Sequence, residues 1–419
     1  MTALSRADEL LERLRGFGGV HFKDLSRGEA SASYAYGDEN DFALDYPGER
    51  KKFLRSRNVV MIGGWVPEDK FKRLAEIVAA VCGERYSLAF EDAPPGGADV
   101  PVKLSNRRMI EPFERVTEAV AFPRYGEPDP TPLIAPFYWL FFGLLTGDAG
   151  FGVVILIVTA ALLKFNKLKR EAARLARLFH YLGYAAVLAG TLYGRLFGRI
   201  FFAPMIGRDG PKPVLDAGLD LIKMLALSAA FGYIHMLVRL AATGFNLLRE
   251  KKYFDAATGP LCQIAALVSA AGILAGFFSG GADRYPLALF SACVWIFAVS
   301  FSLFAYARCV SGATFMKKIA GFVGAFYWLF CRVRDLSLYL CFAAFAFFGA
   351  FITDALGRAA AAMPGVLRWA LGEPLVVAFG IFNMAFIIVV AYARAFLLQS
   401  GGFLNGSGGR GGVKFEPFA

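Results

Sequence analysis

The sequence predicts an α-helical polytopic membrane domain preceded by a small cytosolic α/β lobe. Two features of the composition lead to this fold class. Hydrophobic residues make up 57% of the 419 residues, and the chain contains 42 phenylalanines, which is far from the composition of a soluble domain. Charged residues are frequent in 1–130, whereas 133–400 is a succession of apolar segments.

These changes in composition divide the chain into four regions. We expect the lobe at 1–95, a connector to the membrane at 96–132, the membrane domain at 133–400, and a glycine-rich cytosolic tail at 401–419. The connector opens with prolines and glycines, which favour turns over regular elements.

Helices and strands are predicted to alternate in the lobe. A helix with one apolar face is expected at 5–14 and a short strand at 18–25. The apolar run at 58–64 is typical of a buried strand. The helix predicted at 68–81 follows a proline, which helix starts tolerate, and a further strand is expected at 86–90. No strand is expected before the first helix.

Eight apolar segments are predicted to form the membrane domain. The first two are shorter than the roughly 20 residues that cross hydrocarbon, and a glycine-rich turn joins them into a tight hairpin. The last two are long enough to cross the bilayer at a steep tilt. The segments are 133–146, 149–163, 178–203, 219–247, 257–279, 285–307, 319–350 and 373–398.

The basic residues predict that both termini are cytoplasmic. Lysine and arginine favour cytoplasmic loops, and an even number of segments leaves both ends on one side. The loops assigned to the cytosol carry Lys164, Lys167, Lys169, Arg170, Arg174, Arg177, Arg249, Lys251, Lys252, Arg308, Lys317 and Lys318. The opposite loops carry only Arg208, Lys212, Arg284, Arg358 and Arg368. Most of the net charge of +11 is then explained by the basic residues of the cytoplasmic loops. The sequence carries no motif typical of nucleic-acid binding.

Neither the six cysteines nor the three histidines form a metal-ligand pattern. No CxxC pair is present, and most of the cysteines lie in or beside apolar segments. We therefore expect free thiols and no metal site, disulfide framework or cofactor. The chain opens without the apolar core of a secretory signal.

Arg334 is the principal candidate for a functional residue. It lies inside the apolar run 319–349, where an arginine keeps its charge at a cost. On a helix, Asp335 points about 100° away from Arg334 and instead faces Arg332, three residues before it. No acid stands three or four residues from Arg334. Its carboxylate partner is therefore expected from another helix or another chain, as in an ion pathway. The alternative is a polar partner within its own helix bundle.

Three other polar residues in the apolar segments have two interpretations. Asp148, in the glycine-rich hairpin, could line an access route for ions, but we favour a helix cap that satisfies free backbone N–H groups. His235 and Asn246 are expected to form interhelical hydrogen bonds.

Several short motifs resemble, in order, the membrane stator subunit of V/A-type rotary ATPases, called subunit a or subunit I. The C-terminal pair of motifs is similar to the glycine-rich, Pro-Phe tail of that family. The motifs are Gly64-Trp65-Val66-Pro67-Glu68, Pro112-Phe113-Glu114, Tyr125-Gly126-Glu127-Pro128-Asp129-Pro130-Thr131-Pro132, Phe141-Phe142-Gly143, Gly147-Asp148-Ala149-Gly150-Phe151-Gly152, Leu192-Tyr193-Gly194, Gly408-Gly409-Arg410 and Phe415-Glu416-Pro417-Phe418.

The resemblance implies a role in ion translocation. In that family a rotor ring of small subunits carries one membrane carboxylate per subunit, and the stator presents an arginine on each of two long tilted helices. Burial keeps the rotor carboxyl protonated or cation-bound, and a nearby guanidinium favours its ionised form. By position, Arg334 matches the arginine of the seventh helix and Arg394 that of the last. Arg394 could instead extend to the membrane interface.

The sequence departs from the family pattern at two kinds of position. The histidine and glutamate that usually flank the last-helix arginine are Ala391 and Gln399 here. The family's half-channel residues are therefore not transferred beyond the two arginines, and Asp148, His235 and Gln399 stand as half-channel or structural polar groups. Only 25–58 is available for the family's coiled coil and second lobe, which leaves attachment to a peripheral stalk open.

The function predicted on this basis is that of a non-catalytic stator subunit. It would form ion half-channels during ATP-coupled H⁺ or Na⁺ translocation in a prokaryotic plasma membrane. Its partners would be the rotor ring, peripheral-stalk subunits, central-stalk or ring-cap subunits, and the lipid bilayer. A structural membrane subunit without translocation is the main alternative. A secondary transporter is disfavoured because 133–260 and 270–400 show no repeat, and no Walker, HExxH or nucleophile-elbow motif suggests an enzyme.

Overall fold

The computed structural model describes residues 2–23, 53–55, 59–94, 97, 99–120, 122–165, 167–197, 220–278, 286–310, 314–403 and 412–418. The chain forms two compact units. The first comprises Met1–Ser105, Phe122–Asp129 and Gly409–Ala419, and the second comprises Asn106–Ala121 and Pro130–Gly408.

The first unit packs two helices beside short strands. Its elements are β1 (Thr2–Ala3), α1 (Leu4–Phe17), β2 (His21–Phe22), β3 (Leu54–Arg55), β4 (Val59–Met61), β5 (Gly64–Trp65), a 3₁₀ turn (Glu68–Lys70), α2 (Phe71–Cys82), β6 (Pro101–Val102) and β7 (Val413–Lys414). β4 lies between β1 and β3, and both pairs are antiparallel. β2 pairs antiparallel with β5, and β6 pairs parallel with β7.

The apolar faces of α1 and α2 form the core of this unit. Leu10 and Leu14 from α1 pack with Leu74 and Val78 from α2, and Phe22 closes the cluster from β2. Both helices confirm the sequence prediction. The spacing of three and four residues between apolar positions gives each helix one buried face, as an amphipathic helix requires.

Two predictions for the lobe are wrong. A strand does precede the first helix, because Thr2 and Ala3 pair with Val60 and Val59. Two residues are too few to show the alternation that marks a strand in a sequence. Conversely, 86–90 forms no strand. Phe90 instead packs its ring against that of Phe71, with 3.9 Å between centroids.

The second unit is helical. After a 3₁₀ turn at Glu111–Phe113, its helices are α3 (Glu114–Val120), α4 (Thr131–Thr146), α5 (Ala149–Phe165), α6 (Arg170–Leu192), α7 (Leu221–Arg249), α8 (Tyr253–Phe278, with a π-helical stretch at Ala257–Leu261), α9 (Leu287–Val310), α10 (Phe315–Tyr339), α11 (Cys341–Ala361) and α12 (Glu373–Phe403). The helical segment Gly365–Leu367 and a π-helical turn at Arg368–Gly372 lead into α12.

Four helices in the described part of the chain are long and apolar enough to cross a membrane: Leu221–Arg249, Tyr253–Phe278, Leu287–Val310 and Gly365–Ser400. Thr131–Thr146 and Ala149–Phe165 are shorter apolar helices, in agreement with the predicted hairpin. The structure thus supports a helical membrane protein, and the count of eight crossings stays a prediction.

Two predicted membrane segments differ from the helices observed. The segment 178–203 was expected to be helical throughout, but α6 ends at Leu192, and Gly194 and Phe197 have positive φ angles of 62° and 50°. Residues 198–203 lie outside the described residues. The segment 319–350 is divided at Leu340 into α10 and α11, where the N–H of Leu340 bonds to the carbonyl of Ser337. The hydropathy of the sequence does not show where these helices end, because the residues before and after each break are apolar.

Helix α4 lies at the centre of the second unit. Ile134, Tyr138, Phe141 and Phe142 are fully buried, and α4 packs against α6, α11 and α12. A helix that is apolar all round is suited to such a position. Its neighbours bring α7, α11 and α12 together around the polar residues described below.

Candidate functional site

Three buried polar side chains connect three helices of the second unit. His235 on α7 and Gln399 on α12 are fully buried, and Tyr339 at the end of α10 is 2% exposed. His235 Nδ1 lies 2.7 Å from the Tyr339 hydroxyl, and His235 Nε2 lies 3.2 Å from Gln399 Oε1. With its proton on Nε2, a neutral imidazole donates to Gln399 and accepts from Tyr339, so both ring nitrogens are satisfied. We call these residues the polar triad.

Aromatic rings enclose the imidazole of the triad. The His235 ring centroid lies 4.6 Å from that of Phe137 and 5.0 Å from that of Phe141, both on α4. The Tyr339 ring lies 5.9 Å away. Polar groups in an apolar enclosure are costly unless they are hydrogen-bonded. The pairing within the triad is therefore needed for the helices to pack here.

Gln399 has hydrogen-bonding capacity that the triad does not use. Its Nε2 amide is buried and has no hydrogen-bond partner among the described residues. Leaving a buried donor unpaired costs about 1–3 kcal/mol. The polar triad is therefore an incompletely satisfied group within the helix bundle.

Three arginines and one carboxylate lie beside the triad. Asp335 Oδ2 is 3.2 Å from Arg332 Nη2, and Asp335 Oδ1 is 2.9 Å from Arg334 Nη2. Arg239, one turn after His235 on α7, interacts with the Tyr339 hydroxyl and is close enough to Arg332 for charge repulsion. We call Arg239, Arg332, Arg334 and Asp335 the arginine cluster. One carboxylate cannot balance three guanidinium groups, so the cluster is cationic.

The prediction that no acid from the same chain pairs with Arg334 is wrong. Adjacent residues diverge on a helix, but the long arginine side chain reaches sideways to the carboxylate of Asp335. Asp335 also bonds Arg332, as its spacing predicted, because a carboxylate has two oxygens and several lone pairs.

Arg334 forms the outer side of the cluster and Arg332 the inner side. The Arg334 side chain is 55% exposed, whereas those of Arg332 and Asp335 are 17% and 18% exposed. The exposed rings and methyl groups of Phe330 and Val333 lie next to Arg334 on α10. A cation set in an apolar helix surface is therefore presented outward.

Arg394 on α12 is half-buried and lies near Cys341 at the start of α11. It forms no ion pair with any residue that the structure describes. The two arginines matched by position to the family thus lie on different helices, and only Arg334 belongs to the arginine cluster. Helix α12 packs against α11, which is the second half of the divided segment 319–350.

Asp148 has the geometry of a helix cap. Its fully buried Oδ1 accepts hydrogen bonds from the N–H groups of Gly150 at 2.9 Å and Phe151 at 3.3 Å, at the start of α5. The same oxygen accepts the N–H of Phe197 at 2.9 Å. Asp148 therefore holds Phe197, in the loop that follows α6, against the start of α5. These contacts fit the interpretation of Asp148 as a helix cap.

Arg239 and Tyr339 were not singled out from the sequence, and Arg332 was named there only as the neighbour that Asp335 faces. Arg239 could have been found by the argument applied to Arg334, because it lies within the apolar segment 219–247. Asn246, expected to bond between helices, has no side-chain hydrogen bond in the described part of the chain. Its side chain lies near the end of α7, where the triad contacts do not reach.

No family model matches the chain. The A-type ATP synthase subunit I of Pyrococcus abyssi is 27% identical over 388 residues, which cover 90% of this chain and 57% of that protein. The Methanocaldococcus jannaschii subunit I is 31% identical over 143 residues, 34% of this chain and 20% of that protein. The V-type ATP synthase subunit I 2 of Treponema pallidum is 28% identical over 201 residues, 46% of this chain and 43% of that protein.

The chain spans little more than half the length of the Pyrococcus abyssi protein, although nine-tenths of the chain is aligned with it. The proteins matched are named either A-type or V-type ATP synthase subunit I. The apolar helices of the second unit agree with a membrane subunit. The chain is therefore similar to proteins named A-type or V-type ATP synthase subunit I, and these matches support the V/A-type ATPase subunit I family.

Proposed function

We propose that the chain is the stator of a rotary ATPase membrane sector and that its arginine cluster receives the carboxylates of a rotor ring. The observation that supports this most is the excess positive charge of the cluster together with the outward position of Arg334. Three guanidinium groups among apolar helices are costly when a single carboxylate, that of Asp335, pairs with them, so a further carboxylate would be stabilised here. A ring of membrane carboxylates would supply such partners in succession.

The chemistry of the encounter follows from the two groups. A rotor carboxyl facing lipid stays neutral or cation-bound because burial disfavours its charge. Near Arg334 the ionised form gains charge-assisted hydrogen bonds, so the H⁺ or Na⁺ is released. The guanidinium cannot lose its own proton, which keeps the site cationic throughout.

Asp335 has a defined part in this proposal. Asp335 fixes the positions of Arg332 and Arg334 relative to each other, and each arginine is paired with one of its two carboxylate oxygens. An arginine has five N–H donors, so Arg334 retains donors for a second carboxylate. The polar triad lies behind the cluster and would fix the position of α10 against α7 and α12.

The partners and topology belong to the same proposal. The rotor ring, central-stalk or ring-cap subunits and a peripheral stalk would complete the complex, with nucleotide hydrolysis on other chains. Residues from both ends of the chain lie in the first unit, which supports an even number of membrane crossings. Both termini are proposed to be cytoplasmic.

A structural subunit without translocation is the second candidate. Two observations favour it: Arg334 already has a carboxylate partner, and Gln399 is buried in the polar triad rather than open to an ion route. In that case the arginine cluster would serve only to hold helices together.

The test is ATP-driven ion uptake by vesicles that contain the whole complex. Arg334→Ala should abolish uptake while the complex remains assembled, because the rotor carboxylate loses its cation. Arg334→Lys should restore uptake only in part, since an ammonium is a hydrated point charge that titrates when buried. Arg394→Ala should have a smaller effect because it lies late in α12 and apart from the cluster.

Arg358→Ala provides the matched control. Arg358 is an exposed arginine near the end of α11 and is not part of the arginine cluster. Its loss should leave uptake unchanged. Near-normal uptake in Arg334→Ala, with ATP hydrolysis followed in parallel, would favour the structural-subunit alternative.

A further inference from the structure

The C-terminal segment supplies a strand to the first unit. Val413 and Lys414 pair in parallel with Pro101 and Val102. The N–H of Phe415 then donates to the carbonyl oxygen of Val102 at 2.9 Å. Main-chain pairing of this kind is how extended peptides bind to the edge of a strand.

The same segment continues along a second strand. The N–H of Glu416 donates to His21 Nδ1 at 3.0 Å, and the N–H of Phe418 donates to the carbonyl oxygen of Val20 at 2.9 Å. His21 and the Phe415 ring are also neighbours, with 5.8 Å between ring centroids. The segment is thus hydrogen-bonded near its start, at Val413–Lys414, and near its end, at Phe418.

Phe418 anchors the segment in the core of the unit. Its ring lies 4.8 Å from the ring of Phe22, a residue that is only 5% exposed, and it packs on the cluster formed by α1 and α2. An aromatic anchor in an apolar pocket, flanked by main-chain hydrogen bonds, is typical of specific peptide recognition.

At Gly412 the backbone of the C-terminal segment passes very close to the backbone of Pro123. A Cβ atom at this position would overlap the carbonyl oxygen of Pro123, a backbone atom that cannot turn away as a side chain would. Only glycine lets the segment pass here. The sequence of the tail is therefore matched to the surface that it crosses.

We propose that 412–418 is a built-in peptide ligand of the lobe and that its binding stabilises the strands with which it pairs, at 20–22 and 101–102. Helix α12 ends at Phe403, so only a short linker separates it from the bound segment. A short linker keeps the local concentration of a tethered ligand high. The bound tail would then protect the main chain of the lobe at the strands it touches.

Cysteine crosslinking of the full chain in membranes tests the first part of the proposal. Val102→Cys with Lys414→Cys joins residues that are paired across the two strands. A short thiol crosslinker should give a product within one chain. The control, Lys103→Cys with Lys414→Cys, places one thiol on the opposite side of the strand and should react much less. Crosslinked dimers would mean that the tail is exchanged between copies, and no reaction would mean that it is unbound; either result overturns the proposal.

Amide hydrogen exchange tests the second part. Gly412→Ala and Phe418→Ala should each raise exchange several-fold at 18–22 and 99–103, because they release the segment. Gly16→Ala is the matched control, since a Cβ there meets nothing within 4 Å. Unchanged exchange in both tail variants would show that the segment does not hold the lobe. Ion uptake is not part of this readout, so the outcome is independent of the stator proposal.

Discussion

At the scale of single residues, the carboxylate of Asp335 determines the character of the candidate site. It bonds Arg332 on the inner side and Arg334 on the outer side, and Arg239 completes the cluster from α7. Two charges remain unbalanced if the other groups are neutral. An excess of positive charge among apolar helices marks a candidate functional site.

The polar triad yields a test of stability at this scale. Tyr339→Phe removes the hydroxyl that bonds His235 Nδ1 and leaves that nitrogen unpaired within the aromatic enclosure. We expect a loss of about 1–3 kcal/mol, measured as a lower unfolding midpoint in detergent. Tyr327→Phe is the control because Tyr327 is 60% exposed on the same helix. Equal midpoints for the two variants would mean that the triad does not stabilise the bundle.

At the scale of elements, glycines allow α5 and α6 to pack at close range. A Cβ on Gly190 would overlap the backbone of Ala149, and a Cβ on Gly152 would meet the backbone of Val187. Small residues at helix crossings permit such close approach in membrane proteins. The short hairpin of α4 and α5 also depends on Gly147, which has a φ of 54° and ends α4 in a left-handed conformation.

Gly190→Ala should therefore destabilise the helical unit. The added methyl group forces α5 away from α6, at a cost of about 1–3 kcal/mol for overpacking. Gly380→Ala adds the same group to α12, where nothing lies within 4 Å, and should leave stability nearly unchanged. Thermal unfolding of the purified complex measures both. A Gly190→Ala protein as stable as the Gly380→Ala protein would contradict the packing described for α5 and α6.

At the scale of the whole molecule, the first unit is discontinuous in sequence. It combines Met1–Ser105, Phe122–Asp129 and Gly409–Ala419, and the helical unit is inserted between these segments. Residues from both ends of the chain fold together, so they belong on one side of a membrane. This agrees with an even number of crossings, whereas the cytoplasmic location of the two termini stays a prediction.

Labelling of introduced cysteines measures the topology. A cysteine placed in 204–218, which lies outside the described residues, should react with an impermeant reagent added from outside. Glu84→Cys, in the lobe, should react only after the membrane is opened. Reaction of both sites from the same side would contradict an outer loop between α6 and α7.

Apolar helices that fit a membrane protein, the hairpin of short helices, the amphipathic helices of the lobe and the resemblance to subunit I could all be predicted from the sequence alone. Each depends on local composition, periodicity or motif order, which the chain carries without reference to its fold. Three features became visible only in the folded chain: the pair of Asp335 with Arg334, the place of Arg239 and Tyr339 beside the site, and the packing of 412–418 on the lobe. Those contacts link residues on separate elements or depend on side-chain reach, and hydropathy does not encode which apolar faces meet. The site is therefore a product of helix packing, whereas the class of protein is a product of composition.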